Sequence, residues 1–336
     1  MKRYVAVDSG KFATKVAFAD NALEGITEFK FRTKTGPGSF DDDAVEPGTY
    51  VAEIDGAVYK IGNGAPREAE LDTSKKTLPH KLCTMLALAI VANPEGDEFA
   101  AAAGMPVGPY SNVEARKEYK EYILPLGQHT VTYMTQPGTK VTKKFSIVSH
   151  YVYPESAGGL YLDMEANKET AAVVDIGNVN VNATLFQNFS PDYESSNTSE
   201  LGGQMLITGL AAALSAEMGA RVDEKLASRT LKLEGENRCL HPTKPDPAIE
   251  EKSRKFIDSY LLSHVKDIKR SCDALRWPLS FMQVTFIGGT SDLLKKELKE
   301  VFGDSCVIPD KPELANVRGF LRRLVAWEEK KLLPLG

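Results

Sequence analysis

Two aspartates in this 336-residue chain sit in the same short pattern. Asp8 lies in VAVDSGKFATKVAF and Asp175 in AVVDIGNVNVNATLF, and the two segments align without a gap at an offset of 167 residues. Val7 matches Val174, Asp8 matches Asp175 and Gly10 matches Gly177. Each copy reads as a buried strand, an Asp-x-Gly turn and a second strand with apolar residues on one face: Val16 and Phe18 in the first, Val181, Ala183 and Leu185 in the second. Glycine at the turn lets backbone N–H groups converge on an anion, and Lys11, Thr14, Lys15, Asn178 and Asn180 stand beside it as further donors. A carboxylate would repel such an anion unless a cation stood between them, and Mg²⁺ held directly or through water is the usual solution. Asp8 and Asp175 are therefore the metal-side candidates. Either alone reads more readily as a turn cap; their recurrence near half the chain length argues for a ligand.

Three more segments suit the same chemistry. KKFSIVSHYVYPESAGGLYL (143–162) is a strand that meets Pro154 and then small residues able to open a helix at Glu155 or Ser156. Glu155 is placed to orient an attacking water, the task other nucleotide hydrolases give to Gln or Asp; the plainer reading is a charge stabilised at a helix N-terminus. VTFIGGTSDLLKKEL (284–298) is a strand, Gly288 and Gly289, then an amphipathic helix with Thr290 or Ser291 as N-cap. In SELGGQMLITGL (199–210), Gly202 and Gly203 precede a helix with Leu206, Leu210 and Leu214 on one face, and its first amides offer another anion site.

The elements that must carry these residues follow from the pattern. Asp55-Gly56 between alternating strands in TYVAEIDGAVYKIGNGA (49–65) predicts a two-residue hairpin. Ile249, Phe256, Tyr260, Val265, Ile268, Cys272 and Leu275 recur at helical spacing and predict one long packed helix. TLPHKLCTMLALAIVAN is apolar nearly all round and predicts a buried helix, with Cys83 as a small core residue.

In order along the chain, these segments resemble the five signature stretches of the actin-like ATPase superfamily. The first Asp-x-Gly segment resembles its phosphate motif 1, YPESAGGLY its connect 1 and the second Asp-x-Gly segment its phosphate motif 2. FIGGTSDLL resembles its adenosine motif and ANVRGFLRRL (315–324) its connect 2. The small size and the 49–65 hairpin look most like the ParM-type bacterial plasmid-segregation actins and their archaeal relatives.

The resemblance implies an α/β fold of two similar RNase H-like halves around a nucleotide cleft. Domain I would comprise 1–165 plus 313–336, with an outer subdomain at about 28–75; domain II would comprise 166–312, with an outer subdomain at about 205–280. It implies ATP or GTP bound with Mg²⁺, slow hydrolysis to ADP or GDP that destabilises the polymer, and polar head-to-tail filaments that segregate plasmid DNA. By position, Asp8 and Asp175 would coordinate Mg²⁺ through water, with Asp175 also catalytic, and Glu155 would position the hydrolytic water. Ser9, Gly10, Lys11, Lys15, Gly177, Asn178 and Asn180 would line the phosphates. Gly202, Gly203, Gly288, Gly289 and Thr290 would lie near the nucleoside, with Lys225 and Glu234 as candidates for base and ribose. The chain departs from the family after the second Asp-x-Gly, where Asn178, Val179, Asn180, Val181 and Asn182 replace glycines and hydroxyls, leaving backbone amides or asparagines as donors there.

Composition narrows the alternatives. A net charge of −5 argues against strong direct nucleic-acid binding, so the DNA partner is expected to be reached through an adaptor on a centromere-like plasmid site. The four cysteines, Cys83, Cys239, Cys272 and Cys306, form no C-x-x-C pair and no zinc-ligand spacing. No apolar leader and no eighteen-residue apolar run occur, so a cytoplasmic protein off the membrane is expected. A P-loop, H-E-x-x-H and G-x-S-x-G are absent. A small-molecule kinase of the same fold is the main alternative, and a chaperone-like nucleotide sensor the next. The acidic run Asp41-Asp42-Asp43 lies in a loop (36–48) that is one candidate for filament contact.

Overall fold

A continuously buried run that ends at Asp8 and Ser9, the Gly10 turn and a second largely apolar run make the first hairpin. In the computed structural model, which describes residues 2–20, 25–42, 45–68, 75–167, 169–279 and 281–329, β1 (Lys2–Ser9) turns back as β2 (Ala13–Ala19) and again as β3 (Thr27–Arg32). Then come β4 (Lys34–Pro37), β5 (Thr49–Ile54), β6 (Ala57–Gly62), β7 (Arg67–Glu68), helix α1 (Leu78–Val91) and β8 (Asp97–Met105). Helices α2 (Val107–Tyr110) and α3 (Val113–Ile123), strands β9 (Gly127–Met134) and β10 (Lys140–Pro154), and helix α4 (Ala157–Tyr161) complete the first stretch. After it the same plan restarts with β11 (Thr170–Ile176), β12 (Val181–Gln187) and β13 (Ser190–Ser199). Helices α5 (Gly203–Met218), α6 (Glu224–Leu231) and α7 (Pro247–Ala274), strand β14 (Val284–Ile287), helices α8 (Gly289–Leu293) and α9 (Lys295–Phe302), strand β15 (Cys306–Val307) and helix α10 (Ala315–Glu328) follow.

The chain divides into two units, Met1–Asn167 with Leu314–Gly336, and Lys168–Glu313. The first holds a ten-stranded sheet in the order β3-β2-β1-β8-β10-β9-β5-β6-β4-β7, the second a five-stranded sheet in the order β13-β12-β11-β14-β15. Five strands of the first, β3-β2-β1-β8-β10, repeat the second's design: an antiparallel three-strand meander followed by two parallel strands. The extra strands of the first sheet come from the segment between β3 and α1 and from β9. The expected outer portion at about 28–75 therefore starts too early, because Phe29 and Phe31 of β3 pair with Val16 and Thr14 of β2 in the repeated half of the sheet.

Each unit buries its own core. In the first, Val5, Val7, Phe99 and Phe145 pack beneath α1, whose ten buried residues include Cys83 and fit the all-round apolar sequence. In the second, Leu206, Leu210 and Leu214 of α5 meet Ile257, Leu261, Val265, Ile268 and Cys272 of α7. Full burial of one such large side chain contributes about 1.5–3 kcal/mol. The long helix forms as its periodicity predicts, although Ile249 in its first turn is exposed. The 55–56 hairpin also forms, with Asp55 and Gly56 both at positive φ (53° and 78°) joining β5 to β6.

Two helix starts differ from expectation. The helix expected at Glu155 or Ser156 begins at Ala157, because the Glu155 amide still donates to the Met105 carbonyl (2.8 Å) as a continuation of the β10–β8 ladder. The chain then reverses through Ser156 at φ 71°. The helix expected to be capped by Thr290 or Ser291 begins at Gly289, with Gly288 as cap, and both hydroxyls donate backwards, to the Gly177 and Ile287 carbonyls.

Helix α10 returns to the first unit and crosses α4 where both carry glycine. A methyl group on Gly319 would stand 2.0 Å from the Gly158 carbonyl oxygen, and one on Gly158 would stand 2.1 Å from the Asn316 Cα. Backbones this close leave no room for a side chain at either position.

Candidate functional site: two carboxylate-tipped hairpins

In the first unit, β1, β8 and β10 run parallel and end side by side, the edge at which parallel α/β sheets present ligand-binding groups. Asp8 is the penultimate residue of β1, and Glu155 follows the last residue of β10. Between them lies Lys75, whose Nζ is 3.0 Å from Asp8 Oδ1 and 2.6 Å from Glu155 Oε1. Lys15, opposite Asp8 on β2, brings a second ammonium to 3.6 Å from Oδ2. The Lys75 side chain is 7% exposed and that of Asp8 5%. Burial opposes ionisation of Asp8, but Lys75 and then Lys15 outweigh it and hold the carboxyl at about 2. Burial likewise works against the Lys75 charge, yet Asp8 and Glu155 overcome it and raise its pKa above the ordinary lysine value. His80, fully buried beside this group, is pushed to about 3 by burial and by the charge of Lys75, so it is neutral; its Nδ1 lies 2.7 Å from Thr77 Oγ1.

Ser9 is buried, its hydroxyl 3.2 Å from that of Thr14, which in turn lies 2.9 Å from that of Thr33. Gly10 closes the turn by donating its amide to the Ala13 carbonyl (3.1 Å). Lys11 sits half-buried in the turn.

In the second unit the same turn recurs, residue for residue. Gly177 donates to the Asn180 carbonyl (2.9 Å) as Gly10 does to Ala13, and Asp175 faces Asn182 across the hairpin as Asp8 faces Lys15. Asp175 is 9% exposed and lies at the end of β11, beside its parallel neighbour β14. Gly288, immediately after β14, has φ 91°, and a methyl there would lie 2.5 Å from both Asp175 Oδ1 and the Ile176 carbonyl oxygen. Glycine is required at this point for both reasons.

The Gly177 carbonyl accepts from the Gly203 amide and from Thr290 Oγ1, both at 3.0 Å, and the Asn178 carbonyl accepts from the Gln204 amide. These bonds tie the turn, α5 and α8 into one cluster. At the α5 start, read in sequence as an anion site, the amides of Gly203 and Gln204 already bond to the turn, whose carbonyls satisfy these two orphan donors. A methyl on Gly202 would meet the Val179 carbonyl carbon at 2.4 Å, so that glycine serves the same close approach.

The structure thus brings together Asp8, Ser9, Gly10, Lys15 and Glu155 in one unit, and Asp175, Gly177, Asn178, Gly202, Gly203, Gly288 and Thr290 in the other. Asn180 is half-buried in the second turn, and Gly289 is exposed on the first turn of α8. Lys225 on α6 and Glu234 just beyond it are exposed and lie outside these contacts. Of the acidic run, Asp43 lies outside the described residues, and Asp42 pairs with Lys60 at 2.8 Å.

Comparison with known proteins now bears on this arrangement. Residues 6–158 match the family described as actin-like proteins, N-terminal domain. A filament structure of Alp12 superposes with a TM-score of 0.74 at 23% identity, covering 97% of this chain and 99% of that one. An archaeal actin homologue, Ta0583, in complex with ADP gives 0.68 at 20% identity, covering 94% and 97%. Apo ParM of pSK41 gives 0.73 at 13% identity, covering 98% of each chain. The protein has the actin-like fold. No curated protein matches its sequence.

In this actin-like chain, Lys75 is the site residue that sequence reading missed. It belongs to neither Asp-x-Gly segment and meets its partners 67 and 80 residues away along the chain. The sequence signal near it was the Lys75-Lys76 pair just ahead of α1, which alone reads as solvated charge. Among the described residues, no helix is long and apolar enough to cross a membrane.

Proposed function

We propose that the protein is a nucleotide-dependent, filament-forming ATPase or GTPase of the cytoplasm that segregates plasmid DNA through a DNA-binding adaptor. The observation that carries this reading is the hairpin built twice, with Asp8 and Asp175 at equivalent strand ends and the Gly10 and Gly177 turns closed by the same hydrogen bond. The filament assembled by Alp12 and the ADP held by the archaeal homologue support it.

The donor set fits a magnesium nucleotide. Asp8, Asp175 and Glu155 offer hard carboxylate oxygens, which suit Mg²⁺, and Lys11 and Lys15 offer charge to phosphate. The metal, when bound, would neutralise charge developing on the phosphates. Asp8 and Asp175 would hold it through water, while Ser9, Gly10, Gly177, Asn178 and Asn180 shape the turns that would meet the phosphates. Glu155 orients the attacking water, and Lys75 fixes the Glu155 carboxylate relative to Asp8. Gly202, Gly203, Gly288, Gly289 and Thr290 flank the nucleoside, with Lys225 and Glu234 as its outer contacts. Hydrolysis weakens the polymer, whose subunits add head to tail.

Sedimentation of the purified chain with and without ATP or GTP and Mg²⁺ tests this. Nucleotide-dependent pelleting with phosphate release is expected. A chain that stays in the supernatant with every nucleotide overturns the filament, and phosphate delivered to a small alcohol rather than to water points to the kinase of the same fold.

A further inference from the structure

The cysteine spacing in the sequence offers no zinc set, yet folding assembles a ligand trio away from both hairpins. Cys239 and His241 follow the 3-10 turn Gly235–Asn237, and Glu250 lies in the first turn of α7. Their ligand atoms all fall within 4.8 Å of one another. Cys239 Sγ is 3.9 Å from His241 Nδ1, and that nitrogen is 3.2 Å from Glu250 Oε1. Four-coordinate zinc, with bonds of roughly 2.0–2.3 Å, spaces its ligand atoms about 3.3–3.8 Å apart. The 3.2 Å nitrogen–oxygen and 3.9 Å sulfur–nitrogen separations bracket that spacing.

The orientation of the ring adds a second observation. His241 Nε2 lies 3.2 Å from the Asn237 carbonyl oxygen, an acceptor, so this nitrogen carries the proton and donates it. Nδ1 then faces Glu250 Oε1, and the Cys239 sulfur lies beside the ring, 3.7 Å from Nε2 and 3.9 Å from Nδ1, within reach of the Glu236 carbonyl (3.6 Å). A ligating histidine commonly donates its other N–H to a backbone carbonyl in this way.

We propose that Cys239, His241 and Glu250 form a zinc-type transition-metal site. Thiolate, imidazole and carboxylate together select Zn²⁺ or a similar borderline ion over Mg²⁺, which takes oxygen ligands alone. His241 and Glu250 reach solvent, with side chains 49% and 33% exposed, which leaves the fourth position to water or to a ligand from another molecule. Bound metal staples the segment between α6 and α7 to the start of α7. The sequence conceals the site because Cys-x-His is separated from its third ligand by a loop containing Pro242, Pro245 and the α7 N-cap Asp246.

The test uses the full chain, reduced and stripped of metal by a chelator, titrated with Co²⁺ and then Zn²⁺. One equivalent of Co²⁺ is expected to produce a thiolate-to-cobalt charge-transfer band that one equivalent of Zn²⁺ abolishes. Cys239→Ser should remove the band, whereas Cys306→Ser, on the short strand β15, should keep it. His241→Ala and Glu250→Gln, both at solvent-reaching positions, should weaken Zn²⁺ binding at least about tenfold, the loss that removing even an outer partner of a metal ligand causes. Absence of a band, a band that survives Cys239→Ser, or unchanged affinity in both His241→Ala and Glu250→Gln overturns the site and leaves His241 and Glu250 as a surface side-chain pair.

Discussion

Lys75 shows how a single side chain holds two others in place. Its ammonium bridges Asp8 and Glu155 in a buried setting, and removing one partner of such a group typically costs about 3–5 kcal/mol because the remaining charges lose their compensation. Lys75→Met is therefore expected to lower the urea midpoint strongly at pH 7. Asp8 gives this effect a pH signature. Its folded pKa of about 2 lies below that of the unfolded chain, so the ion pair stabilises above about pH 4 and the contribution is lost as pH falls towards 2. The gap between Lys75→Met and the parent should shrink over that window, and a gap independent of pH would show that Lys75 acts through packing alone. On the proposed reading, Glu155→Gln slows phosphate release while sedimentation with nucleotide persists; loss of nucleotide binding in that variant would remove Glu155 from the water-positioning role. Asp8, Glu155 and Asp175 were legible in the sequence because each sits at a strand end marked by glycine or proline. Lys75 was not, since no local pattern marks a cation that pairs with residues so distant along the chain.

At the scale of elements, the repeat carried most of the fold. Period-two alternation and the fixed offset predicted both hairpins, and the structure adds that even the turn hydrogen bonds correspond. The contacts between elements remained hidden, because a glycine in sequence does not reveal which backbone will approach it. Gly158 and Gly319 are such a pair: α4 and α10 meet through them. Gly319→Ala should force the two helices apart at a cost of about 1–3 kcal/mol or more, read as a lower thermal midpoint, and an unchanged midpoint would contradict so close a crossing. Gly288→Ala tests the second unit. It combines a left-handed φ, strain worth about 1–3 kcal/mol, with a methyl against Asp175 Oδ1. On the proposed reading, magnesium-dependent hydrolysis should fall along with stability. Hydrolysis at the parental rate would show that Asp175 need not hold its present position. The two amides at the start of α5 teach a related lesson: a helix N-terminus reads as an anion site until its donors are found bonded to a neighbouring turn.

For the whole molecule, one supersecondary design is used twice, each copy with its own core, and the larger sheet grows by added strands at one side. The fold class was legible from the order of the segments along the chain. The extent of the added strands was not, since β3 and β4 are separated by Thr33 alone. A net charge of −5 bears on partners at this scale. Filter binding at physiological salt should show weak retention of DNA by the protein alone, because little counterion release is available to drive it; tight direct binding would contradict the need for an adaptor. The proposed function has both carboxylate-tipped hairpins serve one magnesium nucleotide. Calorimetric titration of ATP and GTP, each with and without Mg²⁺, into the parent, Asp8→Asn and Asp175→Asn tests it most directly. The account predicts that Mg²⁺ strengthens binding in the parent and that each variant loses most of that enhancement. Failure of the parent to bind either nucleotide, or an undiminished Mg²⁺ effect in both variants, would contradict it.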